Sequence, residues 1–312
     1  MQNYRMIDSR LITLRTFAAC GTVAATAELT GYSPSAISAQ LRELQKAWGI
    51  QLIVKDGRGI RLTTTGRLLV EGSDAIVSQW EDLRASAMSA GDQVPAHLGL
   101  GGFSTAASQL LAPVAKQLRE KWPELNLQLI DADPERCYRL LVAERIDLAV
   151  VVAMQTEARV EDDPQFEQVP LLDDPLDVVV PSDHPLAERG AVRLDELVSD
   201  NWITDMPGST YRALFTAAFV AVGQTPRVVH QSAEWDSMTA FVSAGLGVGF
   251  LPRLAPLSGV KNVVRLRLAG PNRPVRRILA VGRRGSLESS LIRESLAMLQ
   301  QSARGILAER RD

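Results

Sequence analysis

The chain has little from which to build a metal centre or a disulfide framework: its 312 residues include two cysteines and three histidines. Cys20 and Cys137 lie far apart among apolar neighbours, so reduced thiols are expected. The histidines are scattered and form no Cys/His cluster, which argues against structural zinc. No apolar run reaches the ~18 residues that a membrane span needs. The opening MQNYRMIDSR carries no apolar segment of an export signal. These absences predict a cytoplasmic protein with no membrane partner, no metal and no cofactor.

Catalysis finds little support either. Ser182, Asp183 and His184 are adjacent in VPSDHPL, where a turn between prolines is the simpler reading, and no nucleophile elbow surrounds them. GLGGF and GLGVG lack the full phosphate-binding spacing and are expected to terminate strands. The carboxylates of EDDP and DDP read as solvated loops rather than as a paired acid and base. No catalytic residue is assigned.

What is present is a globular composition, 46% hydrophobic and 22% charged, in a chain long enough for two or three domains. The net charge of −2 is unevenly spread: residues 1–66 hold eight Lys/Arg against four Asp/Glu, and the remainder is net −6. This suggests a basic module on an acidic body.

The basic module has a pattern. Leu11, Leu14, Phe17 and Ala18 fit one helix face, closed by Gly21. Val23, Ala24 and Ala27 begin a second, short helix whose small side chains admit close packing, and Gly31 supplies the turn after it. GYSPSAISAQLRELQKAWG then predicts a third helix. Ser33 is its cap, Pro34 fits its first position, and Ile37, Leu41, Leu44 and Trp48 form a buried stripe. Ser35, Ser38, Ala39, Arg42 and Gln45 fall on the opposite face, free to approach another surface. IQLIVKDGRGIRL changes period and reads as a hairpin, with Lys55, Arg58 and Arg61 placed to follow a phosphate backbone. Together these make a winged helix-turn-helix. Ser33, Ser35, Ser38, Gln40 and Arg42 are expected in the major groove of duplex DNA, Arg42 reaching a guanine or a phosphate. Taken singly, each of these cations also fits a solvated surface.

TTTGRLLVEGSDAIVSQWEDLRASAMSAG predicts one long helix. Leu69, Ser73, Ile76, Trp80, Leu83 and Ala87 follow alternating steps of four and three, a short heptad seam that predicts pairing of two chains. Packing on the chain's own body is the alternative. SAGDQVPAH is a breaker and linker.

The run LRTFAACGTVAATAELTGYSPSAISAQLRELQKAWGIQLIVKDGRGIRLTTTGRLL resembles the DNA-binding domain of LysR-type transcriptional regulators, over its whole length and in order. Three positions depart from the family pattern: Ala39 replaces a basic residue, Gln45 replaces Glu, and IVK replaces Phe-x-Arg. Ile53 and Lys55 keep the apolar and charged character of that last segment, while Ala39 removes one expected DNA contact.

In the body, HLGLGGF, NLQLI and IDLAVVVA read as strands alternating with helices, an α/β pattern with a largely parallel sheet. VPLLDDPLDVVVPSDHPLA reads as two strands and a turn. NWITD, STYRALFTAAFVAVG, PRVVHQ, EWDSMTAFVSAG and GVGFLP form a second lobe, and RRILAVGRRG with the helix SLESSLIRESLAMLQQSARGIL returns to the first. Two such lobes would enclose a cleft, and helix N-termini suit small anions. Ser104 and Thr105 in the first lobe, and Thr204, Gly208 and Ser209 in the second, are the candidates. The plainer alternative makes Ser104 and Ser209 simple helix caps, and Trp235 a packing residue.

GLGVGFLP and RIDLAVVV resemble segments of the same family's effector-binding domain, itself similar to periplasmic binding proteins. The resemblance implies that Ser104, Thr105 and Thr204 contact a ligand and that the chain forms a homodimer or a homotetramer. An activator of this kind would also touch RNA polymerase. The expected organisation is a winged helix-turn-helix (1–66) and a linker and dimerisation helix with hinge (67–95). An effector-binding domain (96–312) follows, with lobe 1 at about 96–170 and 275–312 and lobe 2 at about 171–274. The expected partners are an inverted-repeat operator and a small, anionic effector. A solute-binding protein or enzyme built on the body alone would leave residues 1–90 without a role.

Overall fold

A computed structural model describes residues 7–90, 97–153, 163–257, 259–270 and 273–309. Helices α1 (Ser9–Cys20), α2 (Val23–Thr30) and α3 (Pro34–Trp48) precede a hairpin of β1 (Ile53–Asp56) and β2 (Gly59–Leu62). One 27-residue helix, α4 (Thr64–Ala90), follows. Leu11, Leu14, Phe17, Ile37, Leu41, Leu44, Leu52 and Val70 form the core of this segment. The breaker expected at 89–97 lies mostly outside the described residues.

The chain divides into two compact units, Met1–Val151 with Arg159–Val169 and Leu279–Ser302, and Val152–Ala158 with Pro170–Ile278 and Ala303–Asp312. The helix-turn-helix, α4 and the first α/β layer therefore belong to one unit. In that layer β3 (His97–Gly102) pairs in parallel with β4 (Asn126–Asp131) and β5 (Leu148–Ala153). Between these strands run α5 (Ser104–Ala106), a π-helical turn at Ala107–Leu111, α6 (Ala112–Lys121) and α7 (Pro134–Val142). The glycines of HLGLGG do not all end the strand as expected: Gly99 and Gly101 lie inside β3. A Cβ on Gly99 would stand 2.7 Å from Ile146 Cα, so close approach of the neighbouring backbone explains the residue.

The second unit is built on β6 (Phe166–Pro181), a strand of 16 residues that begins in the first unit. The two strands expected here are thus one continuous strand, and the expected turn follows it at 182–187. It pairs antiparallel with β10 (Val248–Pro252) and β11 (Val263–Ala269). β10 runs parallel to β8 (Asn201–Thr204), β8 to β9 (Arg227–Gln231), and β11 to β7 (Ala191–Arg193). Helices α8 (Thr210–Ala221) and α9 (Trp235–Ser243) cover this sheet, and Trp202, Phe215, Phe219 and Phe250 meet in its core with ring centroids 5.0–6.3 Å apart. β12 (Val275–Arg283) leads back to the first unit, followed by a 3-10 turn at Ser286–Glu288 and α10 (Ser290–Glu309), where a single long helix was expected.

Asp174 corrects the reading of DDP as a solvated loop. It is fully buried in β6, accepts from Arg276 Nη2 at 2.6 Å and Nε at 3.2 Å, and takes the N–H of Leu254 at 2.9 Å. Asp177 is likewise buried against Arg253, with bonds of 2.6 and 3.0 Å. A carboxylate so enclosed is kept only with its cation beside it.

Candidate nucleic-acid interface and effector-contacting residues

Each helix of the N-terminal segment is fixed at both ends. Asp8, Thr22 and Ser33 accept backbone N–H groups at the three N-termini, from Arg10 (2.9 Å), Ala25 (3.1 Å) and Ala36 (3.2 Å). Gly21, Gly31 and Gly49 close the helices in the left-handed conformation, with φ of +74°, +76° and +66°. Pro34 occupies the first turn of α3. With Ile37, Leu41 and Leu44 buried, Ser35 and Arg42 are exposed and Ser38 and Ala39 half-exposed. Ser33 Oγ lies 2.9 Å from Ser35 Oγ.

Three residues of α3 depart from expectation. Trp48 is 47% exposed, because the last turn of α3 runs past the core beneath it. Gln40 is turned toward α1, where its Oε1 accepts from the Thr13 hydroxyl at 2.5 Å, so it leaves the outward face. Gln45 Oε1 accepts the N–H of Leu52 at 3.0 Å and of Ile53 at 3.3 Å. It serves the hairpin rather than an outer surface.

The hairpin pairs Asp56 with Gly59 across its turn and carries Lys55, Arg58 and Arg61 exposed. Arg61 Nε stands 3.9 Å from Asp56 in solvent, a weak pairing. Arg67, exposed in the first turn of α4, adds a cation that sequence reading passed over, and it donates to Leu62 O at 3.2 Å.

On α4 the expected seam is divided. Leu69 packs on the helix-turn-helix core and Ser73 is buried with its hydroxyl on Val70 O, so neither belongs to an outward seam. Leu68, Ile76 and Leu83 are exposed and Trp80 is half-buried. The seam shifted because α4 also packs on its own unit. Arg15 of α1 meets Asp74 at 2.8 Å, and Arg283 joins Glu81 to Asp147 at 2.9 Å each. Burial lowers the affinity of Arg283 for its proton, but Glu81 and Asp147 outweigh it and the net shift is upward.

In the body, Ser104 opens α5 and is exposed, while Thr105 beside it is buried. Phe103 holds the cap position and makes no side-chain cap hydrogen bond there, so Ser104 is not a helix cap. In the second unit, Ser209 does cap α8, accepting from Arg212 N at 3.0 Å. Thr204, at the end of β8, is buried, and its Oγ1 has no hydrogen-bond partner among the described residues. The same is true of the Tyr211 hydroxyl and of Arg212 Nη1. Neither was singled out from the sequence; their place in the first turn after the Ser209 cap was the available signal. Burial pushes the Tyr211 phenol well above its ordinary range. Trp235 is half-buried and meets Tyr211 edge-on at 4.6 Å, as a packing residue would.

His184 Nε2 lies 3.3 Å from Asp200 Oδ1, in a turn. No group of three His, Cys, Asp or Glu able to hold a metal occurs among the described residues. No described helix is long and apolar enough to cross a membrane.

Residues 9–67 match the family model for the bacterial regulatory helix-turn-helix protein, lysR family, and residues 91–304 match the LysR substrate binding domain. CysB of Burkholderia cenocepacia is 27% identical over 72% of this chain and 70% of its own length. The transcriptional dual regulator OxyR of Escherichia coli is 26% identical over 72% and 71%. Among solved structures, full-length OxyR from Pseudomonas aeruginosa superposes with a TM-score of 0.67 at 20% identity, over 97% of this chain and 96% of that one. Full-length CbnR in complex with its target DNA gives a TM-score of 0.55 at 18% identity, over 95% and 100%. A capped helix-turn-helix with a basic hairpin, joined to a LysR substrate-binding domain, makes this chain a member of the LysR family of DNA-binding transcriptional regulators, with an effector-binding domain.

Proposed function

We propose that the chain reads an inverted-repeat operator through α3 and answers a small anionic effector bound by its C-terminal domain. The observation that supports the first part most directly is Arg42. It is exposed on α3, on the face opposite the buried Ile37, Leu41 and Leu44, one helical turn from Ser38. Ser33, Pro34, Ser35, Ser38 and Arg42 approach base edges, while Lys55, Arg58 and Arg61 hold flanking phosphates. Gln40 is left out, since Thr13 engages it. Two chains pair along the exposed part of α4, through Ile76, Leu83 and the half-buried Trp80, which requires two half-sites in the DNA. Pairing of the C-terminal domains as well would give a tetramer, and the protein acts where the DNA is, in the cytoplasm.

The effector-contacting residues are Ser104 and Thr105 of the first unit and Thr204 and Ser209 of the second. The anionic class is supported by buried donors of the second unit that have no hydrogen-bond partner among the described residues, Thr204 Oγ1, Tyr211 OH and Arg212 Nη1. An effector preferring one conformation shifts the population of DNA-binding arrangements.

Selection of bound sequences from random duplex DNA at physiological salt tests the first part. An inverted repeat is expected, and Arg42→Ala should relax preference at one position if Arg42 meets a base, or weaken all sequences equally if it meets a phosphate. An Arg42→Ala protein with unchanged affinity and preference would sink this reading face. Small carboxylates screened by melting-temperature shift test the second part: a hit whose shift survives Thr204→Val does not use this site.

A further inference from the structure

The helix-turn-helix rests on more than its own core. Just beyond α7, Arg145 donates from Nη1 to the carbonyl of Thr30, the last residue of α2, at 2.6 Å. The same guanidinium borders Gly31, where an added Cβ would stand 3.3 Å from Nη1. Glu144, next to it, takes a φ of +54°, rare for a residue with a side chain, and it sets the chain direction from which Arg145 reaches the helix-turn-helix. On α7 itself, Arg136 pairs with Glu28 of α2 at 3.3 Å. A third tie runs through α4, where Asp74 receives Arg15 of α1 at 2.8 Å and Gln165 of the α/β layer at 3.3 Å.

This contact is not packed like a core. A cavity of ≈ 170 Å³ lies beside it, lined by Thr13, Thr16, Tyr32, Gln40, Glu144 and Arg145. Another of ≈ 120 Å³ is lined by Cys20, Glu28, Arg136 and Arg139. Both pockets open toward solvent, so side chains do not fill this contact as they fill a core, and a contact so loosely packed can part and rejoin. Nor does the contact cover the reading face, since Ser35 and Arg42 stay exposed.

We propose that this contact is a reversible clasp, through which the effector-binding domain holds the recognition helix in one orientation, with Arg145 as its positioning residue. Arg145 acts on the turn that aims α3, so the clasp sets which half-site separation two paired chains can span. The clasp stands on the contact itself; only its consequence for spacing rests on the reading of α3 as the DNA-contacting helix.

The native thiols provide the test. Cys137 is fully buried, whereas Cys20 is half-buried beside Arg136 and Arg139, so a bulky maleimide added to the full-length protein reports on Cys20. Arg145→Met, which keeps the apolar stem and removes the donors, should label severalfold faster than wild type at an unchanged circular dichroism spectrum, and Arg145→Lys should return the rate most of the way. Equal rates in wild type and Arg145→Met overturn the clasp. A second measurement uses the selected operator with base pairs inserted between its half-sites: wild type should lose affinity steeply, Arg145→Met shallowly. Equal steepness overturns the spacing consequence. Faster labelling in a protein that binds no DNA would instead overturn the reading of α3 while leaving the clasp standing.

Discussion

Gln45 and Leu52 are joined by a single oxygen. The Gln45 Oε1 on α3 takes the Leu52 N–H at 3.0 Å and, at 3.3 Å, that of the next residue, which ties the recognition helix to the first strand of the wing. Gln45→Ala removes the acceptor from two part-buried N–H groups, and a loss of roughly 1–3 kcal/mol is expected in urea unfolding. Gln45→Glu retains the acceptor and should stay close to wild type. An Ala variant as stable as the Glu variant would show that water replaces the tie.

Asp174 and Arg276 predict a larger effect. Asp174→Ala removes the carboxylate from a buried guanidinium and should cost about 3–5 kcal/mol. Replacing both, as Asp174→Leu with Arg276→Met, should recover much of that loss, because no buried charge is then left uncompensated. The midpoints of urea unfolding for the single and double variants decide this, and a double variant no better than the single would argue against it.

Ile76 and Leu83 are seven residues apart, two helical turns on one exposed face of α4. Ile76→Glu with Leu83→Glu should therefore abolish the proposed pairing along α4 with no loss of helix, as read by sedimentation velocity and circular dichroism. Leu69→Glu should act differently, lowering the stability of the helix-turn-helix, since Leu69 packs on that core.

Two aspartates predict opposite responses to pH. Hydrogen bonding to the Arg10 side chain holds Asp8 below the usual carboxylate range, against a smaller opposing effect of burial. Its folded value is depressed, so its contribution is present above the unfolded value of about 4 and is lost as pH falls through the folded one. The melting-temperature difference between wild type and Asp8→Ala should shrink on acidification. Burial raises Asp74, with Arg15 opposing. Its folded state binds the proton more tightly, so stability falls as pH rises from the unfolded value through the raised one. Asp74→Asn should flatten that part of the pH profile.

The N-terminal segment was legible because its signals are local. A capping serine, a proline at the next position and apolar residues three and four apart specify α3 without reference to the rest of the chain. Periodicity could not show where the core beneath the helix ends, which is why Trp48 was placed inside it. Gln40 and Gln45 were misplaced because their partners, Thr13 and Leu52, lie on other elements. Asp174 read as solvent-facing because the arginine that neutralises it is 102 residues away. β11 was passed over although VVRLRLA alternates, with Leu266 and Leu268 inward, while β7 has only three residues and little pattern to find. Thr204 was named, but its lack of a hydroxyl partner is a property of the folded surroundings.

The single unbroken span of α4 makes it a phase-keeper. It begins against the helix-turn-helix core at Val70 and meets Arg283 through Glu81, so both ends of that stretch are keyed to fixed partners. Each residue of an α-helix advances about 1.5 Å and turns about 100°. A one-residue insertion between Val70 and Glu81 would therefore rotate one set of partners by more than a quarter turn relative to the other. An insertion of seven would nearly restore their azimuth while separating them by about 10 Å. Length variation in this stretch is therefore expected to recur in whole heptads, as helical phase rather than residue count is what both ends share.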